Sequence, residues 1–154
     1  MTFPLDDLDR RILNALQDNA GQTNQQLAEQ VHASPPTCLR RVKRLTDAGV
    51  IARQVALVTP EMVGAALTAI VEITLDHQGA ERQQEFEAVV AHEAAVLQCY
   101  RVSPGPDFVV IVQVADMPAY HALAHRLFAT QKNVRNVRSY FSIYRSKFET
   151  RITV

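Results

Sequence analysis

Cysteine is scarce in this sequence, and neither sign of charge is in excess. The 154 residues include two cysteines, and 16 basic side chains balance 16 acidic ones. Cys38 and Cys99 lie far apart without a second cysteine or histidine at ligand spacing, so neither a disulfide framework nor a zinc site is indicated. We expect both to be small buried hydrophobic residues.

Long apolar runs are also absent. No run approaches the length of a membrane span, and an amino terminus containing Asp6, Asp7 and Asp9 lacks the basic start and apolar core of a signal peptide. With 47% hydrophobic and 21% charged residues, the composition is typical of a soluble globular protein with one domain or two small ones. We therefore expect a cytoplasmic protein.

Positive charge is concentrated in one short segment. Ser34–Leu45 carries four basic side chains and no acid. Ser34 is a favourable N-cap and Pro35 suits the first helical position, so we predict that a helix begins here. Gly49, which suits the left-handed position after a helix, should end it. The helical period places Cys38, Val42 and Leu45 on one face and Thr37, Arg40 and Arg44 opposite, flanked by Arg41 and Lys43.

The first predicted helix is amphipathic. Its apolar residues recur at spacings of three and four, the period of a helix that faces a core. Asp6 should cap it, and Asp9 three residues later gives a weaker form of the capping box. The recurring apolar residues are Leu5, Leu8, Ile12 and Leu16.

A short second helix is predicted between these two. Thr23 with Gln26 forms a capping-box pattern, and Leu27 and Val31 should form the inner face. Three helices with a short turn between the second and third make a helix-turn-helix. Val50–Leu57, rich in branched residues, predicts a small β wing after it.

The pattern changes character near Leu57 to Gly64, where we place the domain boundary. Residues 1–57 are predicted to form the winged helix-turn-helix, 58–64 a linker with a helical turn through Met62, and 65–154 a second domain. The second domain is predicted from strands at 67–75, 96–102, 108–114 and 134–144 and helices at 81–92 and 117–130.

This β-α-β-β-α-β order predicts a ferredoxin-like domain, so the fold class is α+β. Its antiparallel sheet carries both helices on one face and leaves the other face bare. Ile70 should lie on the bare face, which favours pairing with a second copy. We therefore expect a homodimer.

Several segments carry a family resemblance. They are Leu5–Leu13, Thr23–Asn24 with Leu27, Ser34–Val42 with Leu45, Gly49–Ile51 and Ala56–Pro60. These resemble the amino-terminal domain of the Lrp/AsnC transcriptional regulators, and the second domain has the strand order of that family's RAM-type domain. The resemblance implies sequence-specific binding of double-stranded DNA, modulation by a small effector such as an amino acid, dimers that often assemble into octamers, and a nucleoid-associated location.

The cationic helix supplies the candidate DNA contacts. A helix fits the major groove, where arginine can bridge guanine O6 and N7 and threonine can contact a thymine methyl group. Thr37, Arg40 and Arg44 are expected to face bases or nearby phosphates, and Arg41 and Lys43 the backbone. Ser34 can contact a phosphate at the helix start. The alternative is a solvated cationic face on an ordinary helix.

The resemblance also implies an effector loop of the form Gly-x-x-Asp followed by an aromatic residue. Asp107 and Phe108 match, but Pro104 stands where the glycine is expected and Gly105 comes one residue late. Proline removes a backbone N–H that a ligand carboxylate would use. The candidate effector residues are Ser103, Gly105, Asp107 and, in the last strand, Ser139. The alternative is a plain Pro/Gly hairpin connection.

Enzyme function has weaker support. His121 and His125 lie four residues apart on a predicted helix, a spacing that can bind a metal, but no third ligand is near in sequence. There is no nucleophile motif and no Gly-rich phosphate loop. We expect no enzymatic activity, no metal and no cofactor. The alternatives, a tetrapyrrole (sirohaem) decarboxylase subunit or a DNA-free amino-acid sensor, do not need a cationic helix.

Basic residues recur near the carboxy terminus. Between Arg126 and Arg151 the only acidic residue is Glu149. They are either extra DNA-contacting surface in an oligomer or a solvated or interface-paired charge set, and we favour the second interpretation.

Overall fold

The computed structural model describes residues 3–154, which form two compact units. One unit comprises the chain through Leu57 together with Lys147–Val154, and the other comprises Val58–Ser146. Met1 and Thr2, which the sequence assigns to the first domain, lie outside the described residues. No helix among the described residues is long and apolar enough to cross a membrane.

The amino-terminal unit contains three helices, and each begins at a side-chain cap. They are α1 (Asp7–Asp18), α2 (Asn24–Gln30) and α3 (Pro35–Asp47). Asp6 with Asp9 and Thr23 with Gln26 form complete capping boxes. Ser34 caps α3, and Gly49 follows its end with a φ of 73°. The predicted starts and the predicted end are confirmed, because local hydrogen bonds decide them.

The three helices enclose one small apolar core. Ile12 of α1, Leu27 of α2 and Leu45 of α3 meet there, and Cys38 fills the space beside them. Ile12, Cys38 and Leu45 are fully buried. Burial also raises the pKa of the Cys38 thiol, so Cys38 acts as the small hydrophobic residue that we expected.

The predicted β wing is wrong for this structure. Val50–Leu57 forms no strand, although its residues favour one. The amides of Val50 and Ile51 instead donate to the carbonyl oxygen of Leu45, at 2.9 and 3.1 Å, and so extend the end of α3. Beyond them Val55 is 59% exposed. Branched residues stabilise a strand only when a neighbouring strand pairs with it, and none of the described residues does so here.

The last eight residues pack on the amino-terminal unit. The Gln17 side chain donates to the carbonyl oxygen of Ile152 at 3.1 Å and accepts from its amide at 2.8 Å. Arg151 pairs with Asp18 at 2.6 Å, and Val154 lies against the helical core. The sequence assigned this tail to the second domain, because nothing in its composition indicates a partner so far away in the chain.

The second unit is an antiparallel sheet with helices. After a 3-10 turn at Pro60–Val63, its strands are β1 (Leu67–Leu75), β2 (Val96–Arg101), β3 (Phe108–Val114) and β4 (Val134–Phe141). Its helices are α4 (Ala80–Ala91) and α5 (Met117–Ala124), and α5 continues as a π turn at His125–Ala129. The strand order is β2-β3-β1-β4, and every neighbouring pair is antiparallel. This is the predicted ferredoxin-like order.

The last strand ends three residues earlier than predicted. Phe141 pairs with Ala69, and the amide of Ser142 donates to Thr68 at 3.0 Å. In this register Leu67, the first residue of β1, stands opposite Ile143, and Tyr144 has no partner in β1. The strand therefore ends close to the first residue of its partner.

The two faces of the sheet differ as expected. Ala69, Val71 and Ile73 of β1 are buried with Phe86 of α4 and the inner residues of α5. The alternating residue Ile70 is 40% exposed on the opposite face. The prediction that Ile70 lies on an open sheet face is confirmed.

Two leucines of α3 provide a matched test of its orientation. Leu45 is fully buried, whereas Leu39 is 62% exposed. We expect Leu45→Ala to lower the free energy of unfolding by about 2–5 kcal/mol, because it leaves a cavity. We expect Leu39→Ala to change it by less than about 0.5 kcal/mol. Urea unfolding followed by far-UV circular dichroism measures both; similar losses would contradict this placement of α3.

Candidate DNA-binding helix and effector loop

The start of α3 is fixed by contacts from both sides. The Asn24 side chain donates to the carbonyl oxygen of Pro35 at 2.8 Å, which ties α2 to the first turn of α3. The Ser34 hydroxyl accepts from the amide of Thr37 and donates to the Thr37 hydroxyl at 2.8 Å. The two hydroxyl candidates therefore lie together at the helix start, where backbone N–H groups favour an anion.

Arg40 and Lys43 occupy the part of α3 opposite its buried seam. Both are exposed, since on the helical wheel Arg40 lies about 160° from Val42 and Lys43 about 160° from Leu45. Neither side chain has an ion-pair partner among residues 3–154. These two cations are available to an anion in solution.

Arg41 and Arg44 are arranged differently. Arg41 pairs with Asp6 at 2.5 Å and with Asp9 at 3.1 Å, and Arg44 pairs with the other oxygen of Asp9. Asp9 is completely buried. Two of the four cations on α3 are therefore held against the start of α1 by two carboxylates.

The surroundings of these pairs favour the charged forms. Hydrogen bonds from the Asp9 amide and from Arg41 lower the pKa of Asp6, and the bonds to Asp6 and Asp9 raise the pKa of Arg41. The guanidinium carbon of Arg44 also lies 5.3 Å from the centre of the Phe3 ring, within cation–π range. Within the clamp formed by Asp6, Asp9, Arg41 and Arg44, these contacts favour the charged forms of Asp6 and Arg41.

From the sequence we assigned all four cations to DNA, and the acidic partners of Arg41 and Arg44 were not predicted. A signal was present: acids three residues apart begin α1, and arginines three residues apart lie on α3, so each pair shares a helix face. What the sequence lacked was the packing that brings residues 6 and 9 against residues 41 and 44. We now refer to these four residues as the α1–α3 clamp.

The candidate effector loop connects β2 and β3. Ser103 and Gly105 are exposed, and Gly105 has a φ of 120°, a backbone conformation that glycine alone adopts easily. The glycine thus makes its turn one position later than the family pattern, with Pro104 preceding it. Backbone and hydroxyl groups of this loop are accessible to a small molecule.

Asp107 differs from its loop neighbours because it is buried. Its carboxylate accepts from the Leu75 amide at 2.7 Å and from the Gln78 side chain at 3.4 Å. Its own amide donates to the carbonyl oxygen of Ile73 at 2.8 Å. Asp107 therefore anchors the loop to the end of β1.

Ser139 lies outside the loop. It occupies β4 opposite Val71 and shares a hydrogen bond with the Tyr120 hydroxyl of α5. Since Val71 is buried, Ser139 is on the helix-covered side of the sheet. The structure thus brings three of the four effector candidates into one loop and holds the fourth between β4 and α5.

Family models match both units of the chain. A model described as winged helix-turn-helix DNA-binding matches residues 5–52, and one described as Lrp/AsnC ligand binding domain matches residues 68–152. The chain belongs to the Lrp/AsnC family. It is a DNA-binding transcriptional regulator with a ligand-binding domain, in agreement with the resemblance found in its sequence.

Relatives of this Lrp/AsnC regulator resemble it over nearly its whole length. It is 38% identical over 148 residues to an uncharacterized HTH-type transcriptional regulator of Haemophilus influenzae, covering 96% of this chain and 88% of that protein. It is 35% identical over 150 residues to the DNA-binding transcriptional activator DecR of Escherichia coli, covering 97% and 99%. A crystal structure of a Neisseria meningitidis transcriptional regulator in complex with L-Met matches with a TM-score of 0.90 and 31% identity, covering 96% and 95%.

These matches favour the regulator over the alternatives considered from the sequence. They give no support to a tetrapyrrole decarboxylase subunit or to a DNA-free sensor. Across residues 3–154, no group of three or more His, Cys, Asp or Glu side chains is arranged to hold a metal ion.

The carboxy-terminal basic residues of this Lrp/AsnC regulator are partly paired. Arg126 binds Glu93 at 2.5 Å, Arg138 lies 3.6 Å from Glu72, and Arg151 binds Asp18 at 2.6 Å. The bond from Arg126 also lowers the pKa of Glu93. Arg126, Arg138 and Arg151 are therefore paired within the chain itself, which neither interpretation specified.

Proposed function

We propose that this regulator contacts DNA through the exposed face of α3, with Arg40 and Lys43 as its freely accessible cations. The observation that carries the proposal is the division of charge on that helix, because these two side chains project from it without an acidic partner within the described chain. Cations of this kind bind phosphates and release counterions, and arginine can also bridge guanine O6 and N7.

The remaining candidates surround these two cations. Thr37 and Arg44 are proposed to reach bases or nearby phosphates together with Arg40, and Arg41 is proposed to contact the backbone together with Lys43. Ser34 is proposed to contact a phosphate at the helix start, where the helix dipole favours negative charge.

Removal of the Arg40 guanidinium tests this contact face. We expect Arg40→Ala to weaken binding to a selected cognate duplex by about 1–3 kcal/mol, because a base or phosphate contact is lost. Lys43→Ala should weaken binding to all duplexes by a similar factor. It should also reduce the slope of log affinity against log salt concentration by about 1. Fluorescence anisotropy with labelled duplexes measures both effects.

Arg82→Ala is the control for the Arg40 variant. Arg82 is an exposed cation of α4 that pairs with Glu85 at 2.8 Å, so its loss should leave DNA affinity unchanged. Parental affinity in both Arg40→Ala and Lys43→Ala would rule out this face of α3.

For the second unit, the proposed ligand is an amino acid held at the loop that contains Ser103, Gly105 and Asp107. The solved relative whose title names an L-Met complex supports this ligand class. A carboxylate needs N–H or hydroxyl donors, which the exposed loop can offer, and an ammonium group needs an acid such as Asp107. Ser139 completes the proposed set.

The ligand is proposed to act by favouring one assembly state over another. A homodimer formed through the open sheet face that contains Ile70 would present two copies of α3 to two half-sites, and dimers would assemble further into an octamer. An effector bound at an interface changes DNA affinity only if it binds one such state better. The segment around Thr59 and Pro60 is the proposed point of re-orientation. This function is that of a binding protein, not an enzyme, acting on the nucleoid in the cytoplasm.

Titration calorimetry with a panel of amino acids, beginning with L-Met, tests the effector site. We expect at least one amino acid to bind the parent protein. Asp107→Asn keeps an oxygen for the Leu75 amide but removes the charge, so it should weaken that binding about 10-fold or more.

Asp116→Asn is the matched control, since Asp116 makes a similar bond to the Ala119 amide at the start of α5. The absence of heat from every amino acid in the parent would contradict the effector proposal. Equal affinity in the parent and Asp107→Asn would remove Asp107 from the site.

A further inference from the structure

One carboxylate at the centre of the α1–α3 clamp is inaccessible to solvent. Asp9 is 0% exposed, and its two oxygens accept from Arg41, from Arg44 and, at 3.1 Å, from the Asp6 amide. Burying a carboxylate is costly unless it is paired and hydrogen-bonded, and a well-packed apolar residue often serves stability as well or better. Of the bonds to the Asp9 carboxylate, the capping box of α1 uses only the one from the Asp6 amide, so helix packing and capping do not account for the two arginines that this acid also receives.

The bonds to Asp9 use one nitrogen of each arginine. Arg41 bonds through Nη1 and Arg44 through Nη2, whereas a guanidinium group carries five N–H donors. The Arg44 side chain is 44% exposed although its partner is buried. Arg44 is thus fixed at one edge by Asp9 and on one face by Phe3, and its remaining edge faces solvent.

A guanidinium group fixed in this way has already lost conformational freedom that a free arginine would lose on binding. Ordering a long side chain at an interface costs about 0.5–1.5 kcal/mol, and a preset rotamer avoids part of that cost. The carboxylates of the clamp also offset the charge of Arg41 and Arg44, which weakens attraction to any phosphate backbone. Both effects favour the correct sequence over other sequences.

We propose that Asp9 is a positioning residue for DNA recognition: it holds Arg44, and with Asp6 it holds Arg41, in the orientation that α3 presents to its operator. The proposal rests on the proposed DNA-contact face of α3. It assigns to the first turn of α1 a role in sequence selectivity, although that turn need not touch DNA.

Asp9→Asn tests this role with little change in side-chain volume. We expect non-specific binding to strengthen and its salt slope to steepen by about 0.9, because one more cation becomes free to neutralise phosphate. Specific binding should gain less, since Arg44 is no longer oriented. The ratio of specific to non-specific affinity should therefore fall about 10-fold. Anisotropy titrations of the full chain with a selected duplex and a scrambled duplex, from about 50 to about 200 mM salt, measure both quantities.

Two further variants separate positioning from stability and from charge alone. Asp6→Asn keeps a good N-cap residue at an exposed position and removes one of the two carboxylates that Arg41 binds, while Asp9 still holds Arg41 and Arg44. It should therefore fold and lower the ratio in the same direction by less. Asp18→Asn removes the same charge from the other end of α1, where Asp18 pairs with Arg151, and it should leave the ratio unchanged.

The outcomes distinguish the two proposals. If Arg40→Ala weakens binding but Asp9→Asn leaves the ratio of specific to non-specific affinity unchanged, the positioning role is overturned. If circular dichroism shows Asp9→Asn to be unfolded, the same result in Asp6→Asn overturns it. An equal fall in Asp18→Asn overturns it as well, because the effect is then one of charge alone. If Arg40→Ala and Lys43→Ala both bind DNA normally, the contact face itself is wrong and the role of Asp9 falls with it.

Discussion

One buried carboxylate, that of Asp9, links the first and third helices of the amino-terminal unit. Asp9 closes the capping box of α1 through Asp6 and receives two arginines of α3, so the same carboxylate begins one helix and holds another. Because a buried carboxylate without its partners is strongly destabilising, the position of α3 relative to α1 is tightly specified. The orientation of the proposed DNA-contact face therefore depends on the first turn of α1.

Charge placement explains how a chain with no net charge serves as a DNA-binding regulator. The acids of the clamp, at the start of α1, lie against one side of α3. Arg40 and Lys43 are on the outer face of α3, so the local charge of this helix matters for attracting an anion and the net charge of the chain does not. The second unit uses an acid in a similar way. Asp107 turns its carboxylate toward the Leu75 amide and thereby supports a loop whose outer groups remain exposed.

Local features were predictable from the sequence, and distant partners were not. Asp6, Thr23 and Ser34 each cap a helix through the residue three positions on, and apolar periodicity identified both helices of the second unit and all four strands. The pairing of Asp9 with Arg44 spans 35 residues, and that of Ile152 with Gln17 spans 135. No local pattern contains such contacts. The predicted β wing at Val50–Leu57 is wrong for a related reason. Its residues favour a strand, but a strand does not form without a neighbouring strand to pair with.

The most direct test of the account is a crystal structure of the full chain bound to a duplex selected for specific binding. We expect α3 in the major groove, with Arg40 and Lys43 within hydrogen-bond distance of bases or phosphates. We also expect Arg44 to contact the duplex while still bonded to Asp9. A complex in which α3 faces away from DNA, or in which Arg44 leaves Asp9 to reach the duplex, would contradict it.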